Sequence, residues 1–365
     1  LLALGLTNGS NDWDDIFSVP EDKAPFKPLT NKHDFFDWQL FQRIALEKNN
    51  ENIVVSPFSV KILLSILKEA SASLSLQELA LALVDIPAGK DGHNLYQDIL
   101  KSLEQKSEDY QLDIGTKLYV GNSVTPRPDF LEVAKSVYHT SIDNVDFNKR
   151  EETAEKINNW CSKVTNAKIK ELVKADKLEG LIALLANAVY FKGSWVLPFD
   201  ESDTKNKKFT VKAGEDVPIS AMFHLSNFYF LETKELGEGA KLLRMAYKVI
   251  KALHPEKSRN SSLKLNQNSR KFFKRYYQNI LDIFYANAQL PGLGKNIFVN
   301  DIIQKAGVKV DEKGTEIYAA TESELTDRSS SFYSFRALHP FAFFLEDETT
   351  GALLFAGKVV DPTKH

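Results

Sequence analysis

The sequence predicts an α+β fold, with helices crowding the N-terminal half and strands the C-terminal half. Three observations carry this prediction. Apolar residues recur at helical spacing from Phe35 to Ala45 and in further blocks up to about residue 165. Residues 181–191 are almost wholly apolar, as a central strand covered on both faces must be. After them come short β-rich segments between turn residues, without the steady alternation of strand and helix that builds a wound parallel sheet.

Taken in order, residues 1–33 read as an extension. The opening LLALGL is apolar and NGS follows it, like the tail of a secretory signal peptide whose beginning is absent. Residues 11–32 are acidic, Pro-punctuated and without a period, which predicts flexibility. From Asp34 the pattern changes: Phe35, Phe36, Trp38, Leu40, Phe41, Ile44 and Ala45 form one helical face, closed by Asn49 and Asn50. A short strand follows at 53–55. Ser56-Pro57 then opens a helix, because Ser caps it and Pro lacks an N–H that the first turn would leave unpaired.

Further helices are expected at 75–83, 93–105, 127–140 and 150–165, with an alternating strand at 112–120. After the apolar strand at 181–191, ended by Gly193, strands are expected at 209–211, 227–232, 297–300, 307–311, 340–345 and 352–359. Segment 248–276 stands apart, with nine Lys and Arg against the single acid Glu256. Its plainest reading is a solvated face. The functional alternative is a patch for a polyanion such as a sulfated glycan, formed by Lys257, Arg259, Lys264, Arg270, Lys271, Lys274 and Arg275.

Composition narrows the function classes. A chain of 365 residues with 43% apolar content buries a sizeable core, and a net charge of −3 argues against general affinity for nucleic acid or anionic membrane. The single Cys161 excludes an intramolecular disulfide and reads as a buried structural thiol. No run approaches the ~18 apolar residues of a membrane span. No nucleophile elbow, phosphate-binding loop or paired-Cys motif occurs, and the seven His are scattered without ligand-spaced partners. The expectation is therefore a protein that is not an enzyme and holds no metal or cofactor. Acceptor sequons at Asn8 and Asn260, with the leader-like opening, point to a secreted, extracellular glycoprotein.

The most informative stretch is VDEKGTEIYAATESELTDRSSSFYSF, from Val310 to Phe335. From Thr315 to Thr321 it contains neither Pro nor Gly, and its small or β-branched residues suit a pleated sheet. Glu322-Ser323-Glu324, directly after, does not suit a buried strand. These residues fit two states, exposed at first and a strand afterwards.

Several spaced blocks resemble the serpin family: Asn187-Ala188-Val189-Tyr190-Phe191-Lys192-Gly193-Ser194-Trp195, Ser56-Pro57-Phe58-Ser59, Thr165-Asn166-Ala167-Lys168-Ile169, and Phe199-Asp200 with Thr204. Glu312-Lys313-Gly314-Thr315-Glu316 with Ala319-Ala320-Thr321 is similar to the family's reactive-loop hinge. Phe335, His339-Pro340-Phe341 and Leu354-Phe355-Ala356-Gly357-Lys358-Val359 with Pro362 are similar to its closing strands. The resemblance implies a single domain over 34–365, with a large central mixed sheet, smaller C-terminal sheets and an exposed reactive loop at 312–334.

It also implies a mechanism. In the family the scissile bond follows the seventeenth residue from the hinge Glu; from Glu312 that residue is Arg328, followed by Ser329. An Arg there implies a trypsin-like serine protease as partner, trapped by a monomer in a 1:1 covalent complex. The freed hinge, including Ile317, then enters the central sheet. Ser56, Ser59 and Asn187 are expected where the central strands part, with Gln304 in a position that many members give to His.

Three departures accompany the resemblance. Ile317 and Tyr318 stand where the family favours Ala, and a bulky inward Ile resists burial. Gln304 keeps both donor and acceptor capacity, so its change is benign. Between Tyr247 and about Ile297 the family's LP-containing and PKF-containing strands are not recognisable. These departures keep open a non-inhibitory serpin that carries, binds or stores, or a defective splice or gene-model variant over 248–296.

Overall fold

The computed structural model describes residues 2–6, 36–83, 86–105, 107–225, 229–233, 240–248, 264–268, 282–312, 335–347 and 350–364. Among the described residues six α-helices precede residue 165: α1 (Phe36–Glu47), α2 (Pro57–Ala70), α3 (Ser73–Ala82), α4 (Lys90–Leu103), α5 (Pro128–Ser136) and α6 (Arg150–Val164). Each expected helix is present, with ends shifted by a few residues. α2 begins as its sequence requires: Ser56 is extended and its hydroxyl accepts from the Ser59 N–H, while Pro57 takes the first helical position.

The described strands form three sheets. The main sheet has the order β11 (Lys264–Asn268), β12 (Asp301–Val308), β5 (Ala183–Gly193), β3 (Tyr110–Gly121) and β4 (Ser141–Val145). A second sheet has the order β2 (Ile53–Val55), β14 (Leu353–Val359), β13 (Phe341–Glu346), β1 (Leu2–Leu6), β9 (Ala240–Arg244) and β8 (Tyr229–Thr233). A two-stranded ribbon joins β6 (Lys205–Lys212) to β7 (Glu215–Ala221), and β10 (Ala246–Tyr247) follows β9. In β5 every residue but Lys192 is buried, as its apolar run predicts.

α2 is the hub between sheets. It is buried along nearly its whole length, packed against β14 and β5 and against α1, α3 and α5. Phe344 of β13 meets Trp38 and Phe41 of α1, at ring separations of 6.1 and 5.2 Å. Two buried lysines have protein partners for their ammonium groups. Lys61 of α2 pairs with Asp37 at 3.1 Å. Lys358 donates to the carbonyls of Ala45 and Lys48 at 2.8 and 2.9 Å, closing the C-terminal turn of α1.

Three expectations need correction. The two short strands expected at 297–300 and 307–311 are one continuous strand, β12, over Asp301–Val308. Its interior Gln304, Lys305 and Gly307 mask a strand that sheet neighbours on both sides hold in place. Residues 2–6, to which no strand was assigned and which read as the tail of a signal peptide, are an interior strand paired on both sides. An apolar segment that reads as a leader locally is equally suited to a vacant sheet position. In the basic segment, which had no strand assigned to it, Lys264–Asn268 pairs with β12 as an outer strand of the main sheet.

Candidate functional site

β5 and β12 run parallel through eight residue pairs, from Asp301↔Leu184 to Val308↔Phe191. Their outer partners β3 and β11 are both antiparallel to them. This seam crosses the middle of the main sheet, and each side of it is fitted differently.

On the face toward α2, the register aligns Gln304 with Asn187 amid apolar neighbours. The Gln304 Nε2 donates to Asn187 Oδ1 at 3.2 Å, spanning the seam. It also donates to the Ser56 carbonyl at 3.1 Å, while Gln304 Oε1 accepts from the Ser56 N–H at 2.8 Å. Asn187 Nδ2 donates to the Gly115 carbonyl and to Thr116 Oγ1 of β3, at 3.0 and 3.1 Å. Ser56 Oγ bonds Ser59 Oγ at 3.0 Å. Thus Ser56, Ser59, Asn187 and Gln304 come together in one buried network that joins α2, β12, β5 and β3. In an apolar core such a network is costly to leave half-satisfied, so it favours the closed seam strongly.

The opposite face is roofed by α6 and the segment after it. Ile157, Cys161, Ile169, Leu172 and Val173 pack on Leu184, Ala186, Ala188 and Ile303. The small Ala186 and Ala188 bring the roof close to the strands. Asn158 of α6 ties the segment down: its Oδ1 accepts from the N–H groups of Leu172 and Val173 at 2.7 and 3.0 Å, and its Nδ2 donates to the Val173 carbonyl. Lys305 of β12 donates to the carbonyl of Glu171. Burial pushes the Cys161 thiol up to about 11, so it stays protonated and inert.

At the seam's upper end the chain leaving β12 is pinned. The Trp195 indole N–H donates to the Asp311 carbonyl at 2.9 Å, and its ring stacks on Tyr247 at 5.4 Å. The Phe199 N–H donates to the Glu312 carbonyl, and Thr204 Oγ1 donates to Glu312 Oε1 at 2.8 Å. Gly193 is required beside this corner, because a Cβ there would lie 2.7 Å from the Phe191 ring and 2.8 Å from Tyr247. Of the expected hinge, Glu312 is therefore a fixed post.

The rest of the expected loop site, Lys313, Gly314, Thr315, Glu316, Ile317, Ala319, Ala320, Thr321, Arg328 and Ser329, lies outside the described residues. So do Lys257, Arg259, Arg270, Lys271, Lys274, Arg275, Asn8 and Asn260, whereas Lys264 opens β11. Asn158 and Lys305 were not among the expected site residues. The one signal for Asn158 is an amide on a helix whose buried face is otherwise apolar or small.

A family model for serpins (serine protease inhibitors) matches residues 31–262 and 262–362. The chain belongs to the serpin family. Serine protease inhibitor 2 of Anopheles gambiae is 32% identical to it, over 88% of this chain and 90% of that protein. Serpin48 of the insect Tenebrio molitor has a similar fold, with a TM-score of 0.76 at 24% identity, covering 98% of this serpin and all of that chain. Native protease nexin-1 with heparin is similar at TM-score 0.76 and 21% identity, covering 95% of this chain and all of its own. The α+β class and the spaced motifs agree with this membership. The family consists largely of protease inhibitors and includes members that do not inhibit. Among the described residues, no helix is long and apolar enough to cross a membrane.

Proposed function

We propose that this serpin is a suicide-substrate inhibitor of a trypsin-like serine protease, cleaved between Arg328 and Ser329. The observation that supports this most is the closed parallel seam between β5 and β12, with Glu312 held at its end. A chain that turns back after Glu312 and enters the seam would run antiparallel to both neighbours. One parallel ladder would be replaced by two antiparallel ones, which are slightly more stable per residue. Each added backbone hydrogen bond contributes roughly 0.5–1.5 kcal/mol net, so a strand of several residues makes insertion strongly downhill.

The steps follow from this. The protease serine attacks the Arg328 carbonyl, the bond to Ser329 breaks, and the Ser329 amine leaves protonated. Residues 315–321 then enter the seam, which separates Gln304 from Asn187 and draws the acyl-bound protease along. Hydrolysis of the acyl ester competes with this insertion. We further read the protein as a secreted, extracellular monomer glycosylated at Asn8 and Asn260 that forms a 1:1 covalent complex. Contact with a sulfated glycosaminoglycan through Lys257, Arg259, Lys264, Arg270, Lys271, Lys274 and Arg275 is an additional proposal. It would be tested by retention on a heparin column before and after Lys/Arg→Ala changes there.

Mixing the protein with trypsin and running a denaturing gel tests the main reading. A band at the summed mass that disappears in Arg328→Ala is expected. Cleavage at Arg328 without that band would favour the non-inhibitory reading instead, to which the bulky Ile317 lends support.

A further inference from the structure

The six-stranded sheet contains a strand that the family match does not cover. β1, Leu2–Leu6, lies outside the matched range that begins at residue 31. It is not an added edge strand. It pairs antiparallel with β13 from Leu2↔Phe344 to Gly5↔Phe341, and antiparallel with β9 from Leu2↔Arg244 to Leu6↔Ala240. Without it, β9 and β13 would each present an unpaired backbone edge to a one-strand gap in the middle of the sheet. The sequence explains the vacancy. Between β9 and Ile297, where a serpin carries its LP-containing strand, this chain carries the basic segment instead.

Register and composition suit the gap. Positions 2, 4 and 6, all Leu, share a face with positions 342 and 344 of β13, and Phe344 on that face packs against α1. Positions 3 and 5, Ala and Gly, share the other face with the large Phe343 and Phe341. Leu4 thus stands opposite Ala342, and Ala3 and Gly5 opposite Phe343 and Phe341, while Leu2 stands opposite Phe344.

We propose that the gap between β9 and β13 is a β-strand binding site, for an extended peptide of alternating large and small apolar residues, which the protein's own Leu2–Leu6 fills intramolecularly. The N-terminal segment is then a structural strand of the folded protein. Proteolytic removal of residues 1–10 would empty the site and leave it able to take up such a peptide from solution.

Hydrogen exchange on the intact protein gives the direct test. An interior strand engages consecutive amides, alternately toward one neighbour and the other, whereas an edge strand protects only every second one. Amides 3–6 are expected to exchange slower than in a free peptide by on the order of a thousandfold, without gaps. Exchange at the free-peptide rate, or protection of alternate amides only, would overturn the proposal. The second arm uses a chain lacking residues 1–10 and a fluorescent synthetic peptide of that sequence. The truncated chain should bind the peptide and the intact chain should not, with the truncated chain's unfolding midpoint lowered by on the order of 10 °C and raised again by the peptide. Equal binding to both chains would sink it, as would an intact protein that sizes as a dimer only while residues 1–10 are present. None of these readouts depends on protease inhibition.

Discussion

Gln304 is the residue through which the closed seam is most directly testable. Its side chain makes three hydrogen bonds: it accepts from the Ser56 N–H, donates to the Ser56 carbonyl and donates to Asn187 Oδ1. Gln304→Ala removes all three, but their loss is unequal. The Ser56 carbonyl still accepts from the Val60 N–H at 3.1 Å, so it is not orphaned. The Ser56 N–H and the Asn187 Oδ1 are left buried without these partners, at about 1–3 kcal/mol each. Part of this is recoverable if water enters the space vacated by Gln. The expected loss is about 2–4 kcal/mol. Gln304→Met separates the two contributions, because it fills the volume, admits no water and still supplies no donor or acceptor. Urea unfolding followed by intrinsic fluorescence measures both variants, with an unchanged slope required for comparison. Met should cost as much as Ala or more. If both variants lay within about 0.5 kcal/mol of the parent, an ordinary surface-like value, the network would not be what holds β5 to β12.

Other perturbations give clear directions. Ile317→Ala should speed insertion by about five- to 150-fold, the kinetic equivalent of relieving an overpacking cost of about 1–3 kcal/mol, and should lower the number of inhibitor molecules cleaved per trypsin trapped. Gly357→Ala places a Cβ 2.3 Å from the Phe343 ring and 2.8 Å from the Ile53 carbonyl. A cost of about 1–3 kcal/mol or more should appear as a lower urea midpoint. Burial lowers Lys358 to about 7, from an ordinary value of 10.5. Between those values the unfolded chain binds the extra proton, so stability rises with pH over that window and is flat below it. Lys358→Arg stays charged throughout, so its urea midpoint should lose the part of the rise that the parent shows between about pH 7 and pH 9.

How much of this was legible beforehand depends on whether the cause was local. The start of α2 was readable to the residue, because Ser56-Pro57 states a cap and a first turn in adjacent positions. β5 was readable within two residues because eleven nearly uninterrupted apolar residues fit little else. β4, β7 and β9 gave no usable pattern: the burial of β4 and β7 is partial, and their pairing is supplied by neighbours rather than by their own residues. The same reason split β12 in the sequence reading, since Gln304 and Lys305 look like loop residues until Asn187 and Glu171 are placed opposite them.

The functional network shows the sharper limit. Ser56 and Gln304 are 248 positions apart, and no periodicity links them. Their expected association came from a family resemblance, and the hydrogen bonds supply the physical content behind it. For β1 the resemblance is silent, because the segment lies outside the matched range, and its apolar residues read locally as a leader. An apolar pentapeptide carries no local mark that distinguishes transport from packing. What distinguishes them is whether two other strands lack a neighbour, and that is a property of the segment between β10 and β12 rather than of the N-terminus. The same absence that weakens the family resemblance over 248–296 is therefore what gives Leu2–Leu6 a place in the fold.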